Sequence, residues 1–411
     1  MFARTLVHLR WSTSVLHRGE WVCPWLWGLL HLMTYYSQMR IIQGQQGVRY
    51  GMGENVEESA ARVHASAGDA RAVLERGARR SRLVLIVSVA VLAVLVCISL
   101  MLGRYPISPV DAVKMLVSPF IDISRTWTDQ AQTLFFNVRL PRILLACVVG
   151  CGLSAAGAAY QGTFQNPLVS SDILGASQGA AFGAACALLA GASSVMVSVT
   201  AFAFAMGTVL LVMAVSSRGR GDHVLTVVLV GVMVSSLAQA GVSFAKLVAD
   251  PTDQLPAITY WLMGNLTSAN LRDLAFASAP VGMGLVALHC LRWRINVLTM
   301  GDDEARTMGV DARRVRMLVM VSATLVIAAC VAVSGMIGWV GLVIPHLCRM
   351  VVGSDYRNLL PASMLCGASF LLVVDNISRL AYTAEIPIGI LTAFVGAPFF
   401  LYLIMRRKRG L

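Results

Sequence analysis

The stretch Arg139-Leu-Pro-Arg142 opens a long apolar segment, which breaks at Gln165-Asn-Pro-Leu168 and restarts as Gly175-Ala-Ser-Gln-Gly179. Arginines at one end of a membrane helix cost free energy unless they have a partner or reach water. A helix that breaks inside a membrane protein is tolerated where it is buried in protein or lines a pathway. Together these features predict a transport protein that meets something acidic at one face.

The composition is that of a polytopic membrane protein. The 411 residues are 57% hydrophobic and 13% charged, whereas soluble domains carry about a quarter charged residues. The net charge of +12 could indicate nucleic acid. Basic residues in short loops between apolar runs are better explained as determinants of membrane topology. We therefore expect membrane lipid and no nucleic acid among the partners.

The sequence lacks the motifs of a disulfide framework, a zinc site and a nucleotide-binding P-loop. The nine cysteines contain no CxxC pair, so neither a disulfide framework nor a zinc site is indicated, and we expect no metal and no cofactor. The chain has three lysines and no GxxxxGK[ST] sequence. Because a nucleotide-binding P-loop needs that lysine, any ATP-driven activity requires another polypeptide.

Ten apolar segments follow the N-terminal region, each near the length of about 20 residues that spans a bilayer or acceptable as a shorter, broken element. They lie at about 83–103, 139–162, 172–190, 195–216, 223–249, 271–291, 314–334, 338–352, 358–382 and 387–405. The sequence therefore predicts an all-α polytopic membrane protein with ten transmembrane helices, some of them short and broken.

Basic clusters orient these segments, because positively charged loops stay in the cytoplasm. They precede the first segment and follow the fourth, sixth and tenth, which places both termini in the cytoplasm of a multi-pass inner-membrane protein. The cluster residues are Arg79, Arg80, Arg82, Arg218, Arg220, Arg292, Arg294, Arg306, Arg313, Arg314, Arg316, Arg406, Arg407, Lys408 and Arg409. Arg139, Arg142 and Arg379 then fall at the outer face, against the rule.

Residues 1–82 differ from the rest and are predicted to be an N-terminal extension to a transmembrane domain at 83–411. The apolar patch at 21–27 is too short and too broken by proline to span. Met39 and Met52 are both candidate starts, so residues 1–51 are expected to be a disordered tail or to precede the true start. The Ala-, Glu- and Arg-rich stretch 54–82 predicts a short cytoplasmic helix.

Gly175, Gly179 and Gly183 are spaced four apart, which puts them on one helix face where another backbone can approach closely. Helix packing is the favoured interpretation, and direct contact with a substrate is the alternative. The first part also fits the GxSxG pattern of a hydrolase nucleophile. That motif needs a preceding strand and a positioned histidine and acid, which the surrounding membrane helix does not offer. The break at Asn166 and Pro167 is expected to shape a pathway.

Two further polar features lie in apolar segments. Asp375 and Arg379 are four apart and can pair on one helix face, or Arg379 can meet an outside partner. His346 follows the helix-breaking Pro345. It could be a ligand or proton relay, but we favour hydrogen bonds to carbonyl groups that the proline frees.

The polar loop 298–311 has acidic residues first and arginines last, as in a short helix that complements its own dipole. Either it is a solvated connector or it is a docking surface for another subunit.

Residues 83–411 resemble, nearly end to end, the FecCD-type permeases of bacterial ABC importers for iron–siderophores, haem and cobalamin. The N-terminal extension and Trp339 depart from the family pattern. The ordered matches are Arg139-Leu-Pro-Arg142, Gln165-Asn-Pro-Leu168, Asp172-Ile-Leu-Gly175 with Gly179-Ala180, Trp261-Leu-Met-Gly264, Gly338-Trp-Val-Gly-Leu-Val-Ile-Pro-His346 with Arg349, Asp375 with Arg379, Glu385-Ile-Pro-Ile-Gly389, and Gly396-Ala-Pro-Phe399.

The resemblance implies a cobalamin-importer-permease-like fold of ten spans in a homodimer or heterodimer of permease subunits. Two cytoplasmic ATPase subunits and a periplasmic or lipid-anchored substrate-binding protein complete the assembly. Arg139, Arg142 and Arg379 would face acidic residues of the binding protein. The loop at about 292–313 would dock on the ATPase. Its candidate coupling residues are Gly301, Glu304, Ala305 and Gly309, and the candidate packing or pathway residues are Gly175, Gly179, Gly183, Asn166, Pro167, Pro345 and Gly389.

The expected function is therefore that of a permease subunit, not an enzyme, which moves a metal chelate (iron–siderophore, haem or cobalamin) by alternating access. A rival from another class is an ion-coupled secondary transporter, which should show paired acids at mid-membrane, where Asp375 is the only convincing one. A second rival is an intramembrane serine hydrolase using Ser177.

Overall fold

The computed structural model describes residues 56–103, 105–119, 121, 124–170, 172–219 and 223–407, and these contain helices and no strand. The predicted all-α class is therefore confirmed for this part of the chain. The chain divides into two units, Met1–Arg71 and Ala72–Leu411, and the described part of the first, residues 56–71, is helical. The features predicted at residues 1–51, at Arg220, and at Lys408 and Arg409 lie outside the described residues.

The helices are numbered here in chain order. They are α1 Val56–Met101, α2 Pro109–Val117, α3 Asp129–Leu134, a π-helical turn Phe135–Arg139, α4 Leu140–Thr163, α5 Ala176–Leu189, α6 Ser194–Ser216, α7 His223–Val248, α8 Gln254–Leu262, α9 Leu271–Leu298, α10 Asp302–Thr307, α11 Ala312–Ser334, α12 Val340–Val352, α13 Tyr356–Leu380 and α14 Ile388–Arg407.

Within the described residues, seven helices are long and apolar enough to cross a membrane. They cover Arg79–Met101, Asp129–Thr163, Ser194–Ser216, Val224–Val248, Leu271–Leu298, Ala312–Ser334 and Tyr356–Leu380. Three shorter apolar helices, Ala176–Leu189, Val340–Val352 and Ile388–Tyr402, accompany them. Each of the ten predicted apolar segments overlaps one of these helices.

Some predicted boundaries were wrong. The third segment was expected from residue 172, but α5 begins at Ala176 because residues 172–174 form a turn. The loop after the sixth segment was predicted to hold Arg292, Arg294, Arg313, Arg314 and Arg316. Instead, α9 continues to Leu298 and α11 already begins at Ala312, with Asp311 accepting a hydrogen bond from the Arg314 amide as its N-cap. The helix predicted from Glu54 is present from Val56 as part of α1.

The core is built around α4, whose glycines let two helices, α13 and α12, approach its backbone closely. A Cβ at Gly150 would lie 2.8 Å from Leu371 Cβ, and one at Gly367 of α13 would collide with α4 in return. A Cβ at Gly157 would lie 2.6 Å from the Cα of Gly341 in α12. Small residues allow such contacts between membrane helices, where van der Waals packing drives association.

Proline and left-handed residues mark the places where helices change direction. Pro141 has no amide hydrogen for the carbonyl four residues earlier, and the turn just before α4, Phe135–Arg139, is π-helical. Gln165 has a φ of 50°, directly after α4 ends. Gly335 (φ 66°) and Trp339 (φ 69°) separate α11 from α12. The breaks therefore fall at the predicted motifs.

Candidate functional sites at the two ends of the bundle

Two arginines and two carboxylates form a largely buried group, here called the arginine cluster: Arg142, Asp375, Arg379 and the half-buried Glu385. Arg142 Nε donates to Asp375 Oδ1 at 2.9 Å, and its Nη1 donates to Glu385 Oε1 at 3.0 Å. Arg379 Nε lies 3.2 Å from Asp375 Oδ2, an ion pair whose geometry does not make a hydrogen bond. The pairing of Asp375 with Arg379 that the sequence predicted is therefore present, with Arg142 as a second partner.

Arg139 lies beside the cluster, and its side chain caps the C-terminal end of α1. Its Nη1 donates to the Leu100 carbonyl at 3.0 Å, and its Nη2 donates to the Tyr105 carbonyl. The guanidinium rests against Gly103, where a Cβ would lie 2.9 Å from Arg139 Nε. A cation at the last carbonyls of a helix satisfies acceptors that have no partner within the helix and complements the helix dipole.

All three arginines that the sequence placed at an outer face are buried in this subunit. Arg139 is 6% exposed, Arg142 is 4% exposed and Arg379 is 8% exposed. Arg379 Nη2 also donates to Asn376 Oδ1, and Asn376 Nδ2 donates to Ser99 Oγ of α1 at 2.6 Å. The structure brings the three arginines to one end of the bundle and gives each of them a partner within the chain.

Glu385 is the member of the cluster that residue-by-residue analysis missed. Its carboxylate accepts from Arg142 and, at 2.9 Å, from Thr267 Oγ1 in the α8–α9 loop. The sequence carried one signal, because Glu385 opens the Glu-Ile-Pro-Ile-Gly match with the FecCD pattern. Nothing in its spacing pointed to Arg142, 243 positions earlier.

Three segments, each at the end of a helix, meet next to the arginine cluster, and we call this the three-segment junction: residues 261–265, 334–338 and 386–389. Ile388 N donates to Gly264 O at 2.9 Å, Gly389 N to Met263 O at 3.1 Å, and Asn265 N to Ser334 O at 2.8 Å. A Cβ at Gly335 would lie 3.0 Å from Gly264 Cα. The junction therefore needs glycine where backbones touch, and Gly389 belongs to it.

The opposite end of the bundle holds the polar loop. Asp302–Thr307 forms the six-residue helix α10, with Gly301 (φ 124°) before it and Gly309 (φ 75°) after it. α4 separates Arg142 from this end by roughly 30 Å, at a rise of 1.5 Å per residue. Ala305 is fully buried, whereas Glu304 is exposed. One face of α10 thus packs on the bundle and the other is open.

Two side chains fasten this loop to the bundle. Arg316 of α11, 2% exposed, binds Asp302 with two donors, at 2.7 and 3.3 Å. Gln165 Nε2, from the break after α4, donates to the Leu298 carbonyl at the end of α9 at 2.7 Å. Asn166 and Pro167 are exposed beside it, and Asn166 Oδ1 accepts from the Leu168 amide at 2.9 Å.

A second buried polar group joins α4, α12 and α13 near that end. Arg349 Nη2 donates to Gln161 Oε1 at 2.9 Å and approaches Tyr356 Oη at 3.4 Å. Pro345 lies inside α12, and His346 Nδ1 is buried without a hydrogen-bond partner among the described residues. The expected hydrogen bond to a carbonyl freed by Pro345 is therefore not donated by that nitrogen.

The glycine-stepped face of α5 packs on α6 and α7. A Cβ at Gly179 would lie 2.8 Å from Phe204 O, one at Gly183 would lie 2.6 Å from Thr200 O, and Gly175 abuts Ser235 of α7. Gly175 has a φ of 76° and Ser177 lies in the first turn of α5, where its amide donates to Asp172 Oδ1 at 3.0 Å. A nucleophile elbow needs a strand before the serine, and the described residues before Ser177 contain no strand.

Comparison with known proteins gives a consistent family. The model of the FecCD transport family matches residues 91–406. The chain is 40% identical over 319 residues to the molybdate import system permease protein MolB of Haemophilus influenzae, which covers 78% of this chain and 94% of that protein. It is 40% identical over 281 residues to the cobalamin import system permease protein BtuC of Halobacterium salinarum, covering 68% and 75% respectively.

The fold has a solved counterpart, described as an ABC transporter of metal-chelate type in an inward-facing conformation. The two chains are 38% identical with a TM-score of 0.69, over 78% of this chain and 98% of that one. The chain therefore belongs to the FecCD transport family: it is a membrane-spanning permease subunit of an ABC importer for metal or chelate substrates, it is not an enzyme, and a separate ATPase subunit hydrolyses the ATP.

Proposed function

We propose that the substrate is a metal chelate, iron–siderophore or haem in the first place and cobalamin in the second. The observation that carries this proposal is the likeness to a transporter of metal-chelate type along 98% of that chain's length. The relative named for molybdate makes that oxyanion a candidate from outside the chelate class. Substrate choice in such an assembly rests mainly on the binding protein, so the proposal concerns the class of cargo.

Uptake by cells tests this proposal. Bacteria that lack their own importers receive the permease, its ATPase and its binding protein, and are given labelled iron–siderophore, haem, cobalamin and molybdate in parallel. We expect saturable uptake of a chelate, and competition by the same chelate without label. Uptake of molybdate alone would contradict the proposal.

The loop around α10 is the proposed coupling segment between ATPase and permease. Met300 and Met308 on either side of α10 are 61% and 50% exposed, an apolar surface suited to burial against a partner. Arg316 and Gln165 tie the same segment to α11, α4 and α9. A movement imposed on the exposed side would therefore reach α4, which packs centrally in the bundle. Gly301, Glu304, Ala305 and Gly309 are its proposed functional residues.

The end that holds the arginine cluster is the proposed docking face for the substrate-binding protein. Arg139, Arg142 and Arg379 supply positive charge there, and an acidic partner surface complements it. Because each guanidinium already has partners in the chain, docking would involve an exchange of partners rather than the capture of free charges. A reversal at Arg142 would place three carboxylates together, so acid-to-amide changes on the binding protein are the cleaner test.

We further propose that all ten apolar helices belong to the membrane domain 83–411, with both termini cytoplasmic. The seven helices of spanning length and the three shorter ones add up to that number. α7 and α14 expose large apolar side chains, among them Leu237 (72%), Leu247 (80%) and Phe394 (75%). Such faces suit lipid or a second permease subunit, in a homodimer or a heterodimer. Chemical cross-linking of the purified transporter, followed by mass measurement, distinguishes a homodimer from a heterodimer.

A further inference from the structure

Glu385 occupies a position that the docking proposal leaves unexplained. It lies in the irregular stretch between α13 and α14, and both of its carboxylate oxygens reach Arg142 Nη1, at 3.0 and 2.9 Å. Thr267 Oγ1 donates to the same carboxylate at 2.9 Å. Glu385 thus joins the start of α4 to two loops at the same end of the bundle.

The two carboxylates on Arg142 differ in how firmly they are held. Asp375 is fully buried inside α13, where both oxygens face arginines. The Glu385 side chain is 24% exposed and follows the non-helical residues 381–384. An ion pair that reaches water is screened and weak, whereas the removal of a buried partner leaves an uncompensated charge. Of the two, Glu385 is therefore the exchangeable partner.

Glu385 also directly precedes one arm of the three-segment junction. Ile386 N donates to Ser378 O at 3.2 Å, and the amides of Ile388 and Gly389 donate to the carbonyls of Gly264 and Met263. The carboxylate anchors the chain directly before this arm, while three backbone amides, those of Ile386, Ile388 and Gly389, hold the arm itself. Release of the side chain would remove the contact that Arg142 makes between Glu385 and α4.

We propose that Glu385 is a resident counterion of Arg142, which a carboxylate of the docking protein displaces, and that its release loosens the 386–389 arm of the three-segment junction. The proposal rests on the docking face named above. The exchange keeps the charge of the site constant, because one carboxylate leaves the guanidinium as another arrives. It makes docking of the binding protein and opening of that end of the bundle the same event.

Hydrogen–deuterium exchange of backbone amides tests directly whether docking releases Glu385 from Arg142. The assembled transporter in lipid nanodiscs is mixed with its purified substrate-binding protein, and the peptide carrying Ile386, Ile388 and Gly389 is followed by mass spectrometry. We expect faster exchange in this peptide when the binding protein is bound. The Asn265 amide, which bonds Ser334 without Glu385, serves as the internal reference and should keep its exchange rate.

The variant Glu385→Gln separates this proposal from a purely structural role. Glutamine keeps the shape and the Thr267 contact but not the charge, so it competes poorly for Arg142. We expect binding-protein affinity to rise by roughly tenfold, mainly through slower dissociation, as for a buried charge pair. The 386–389 peptide should exchange quickly even without the binding protein. Thr267→Val, which removes the neutral contact to Glu385, is the matched control and should change affinity less than twofold.

Two results would overturn the proposal. Weaker or unchanged binding by Glu385→Gln would show that Glu385 does not compete with the docking partner. An unchanged rate of amide hydrogen exchange at residues 386–389 on docking would show that the arm does not loosen. Both differ from failure of the docking proposal itself, in which the wild-type transporter would not bind the protein at this face, and amide changes of its surface carboxylates would have no effect.

Discussion

Arg142 and Asp375 lie 233 positions apart, yet Arg142 Nε donates to Asp375 Oδ1 at 2.9 Å and joins the first turn of α4 to α13. Asp375 is fully buried and also pairs with Arg379. Asp375 therefore pairs with two guanidinium groups inside an apolar bundle, one of which Glu385 also contacts. Removal of one member of such a group costs more than the group contributes as a whole, because it leaves buried charges unpaired.

We therefore expect Asp375→Asn to destabilise the fold strongly. The loss should be about 3–5 kcal/mol, the usual cost of breaking a buried ion pair from one side. Thermal unfolding of the purified protein in detergent measures it. Asp253→Asn, at an exposed carboxylate, is the control and should melt like the wild type. Equal melting of Asp375→Asn would show that the arginine cluster does not hold α4 to α13.

Close approach of α4 and α12 makes Gly157 intolerant of a side chain. A Cβ there would lie 2.6 Å from the Cα of Gly341, so Gly157→Ala must push the two helices apart and lower the yield of folded protein. Overpacking of this kind costs about 1–3 kcal/mol or more. Gly207→Ala is a matched control, because no atom lies within 4 Å of a Cβ at Gly207 in α6. Folding by both variants alike would contradict the packing.

Backbone conformation at Gly309 offers a test of the coupling segment without a steric clash. Gly309 has a φ of 75° and open space around a Cβ. Asparagine tolerates this conformation and valine does not. We expect Gly309→Asn to keep ATP-driven uptake and Gly309→Val to lower it by roughly five- to thirtyfold, the effect of 1–2 kcal/mol on an equilibrium. Both variants should fold. Equal uptake by the pair would make the segment a plain connector.

The proposed topology predicts opposite accessibility at two exposed positions. Single cysteines replace Ser217, after α6, or Asp253, after α7, in a version of the protein without other cysteines. A membrane-impermeant maleimide should label position 253 in intact cells and position 217 only in inverted vesicles. Reversed labelling at either position would overturn the ten-span arrangement with cytoplasmic termini.

Much of the fold could be predicted because helices in lipid must be apolar over a fixed length. The apolar runs of the sequence each overlap a helix, and the break after Thr163 falls at the Gln165-Asn-Pro-Leu168 motif. The Asp375–Arg379 pair was accessible because its spacing is local to one helix.

Long-range partners could not be found in this way. Neither Arg142 with Glu385 nor Arg316 with Asp302 leaves a trace in helical spacing, because loops and the tertiary fold create both pairs. The arginines were expected to await an outside partner, since a charge against the topology rule suggests one. In the structure each of these arginines has a partner within the chain, and these partners become visible only once the helices are packed together.

The dependence of chelate transport on ATP shows whether the protein works as the permease of an ATP-driven importer. The permease is reconstituted in proteoliposomes with its ATPase and its substrate-binding protein, and uptake of a labelled iron–siderophore is followed with and without ATP. We expect the iron–siderophore to accumulate only with ATP and binding protein, and we expect no effect of ionophores that collapse ion gradients. Uptake without ATP that an ion gradient drives and an ionophore abolishes would contradict it.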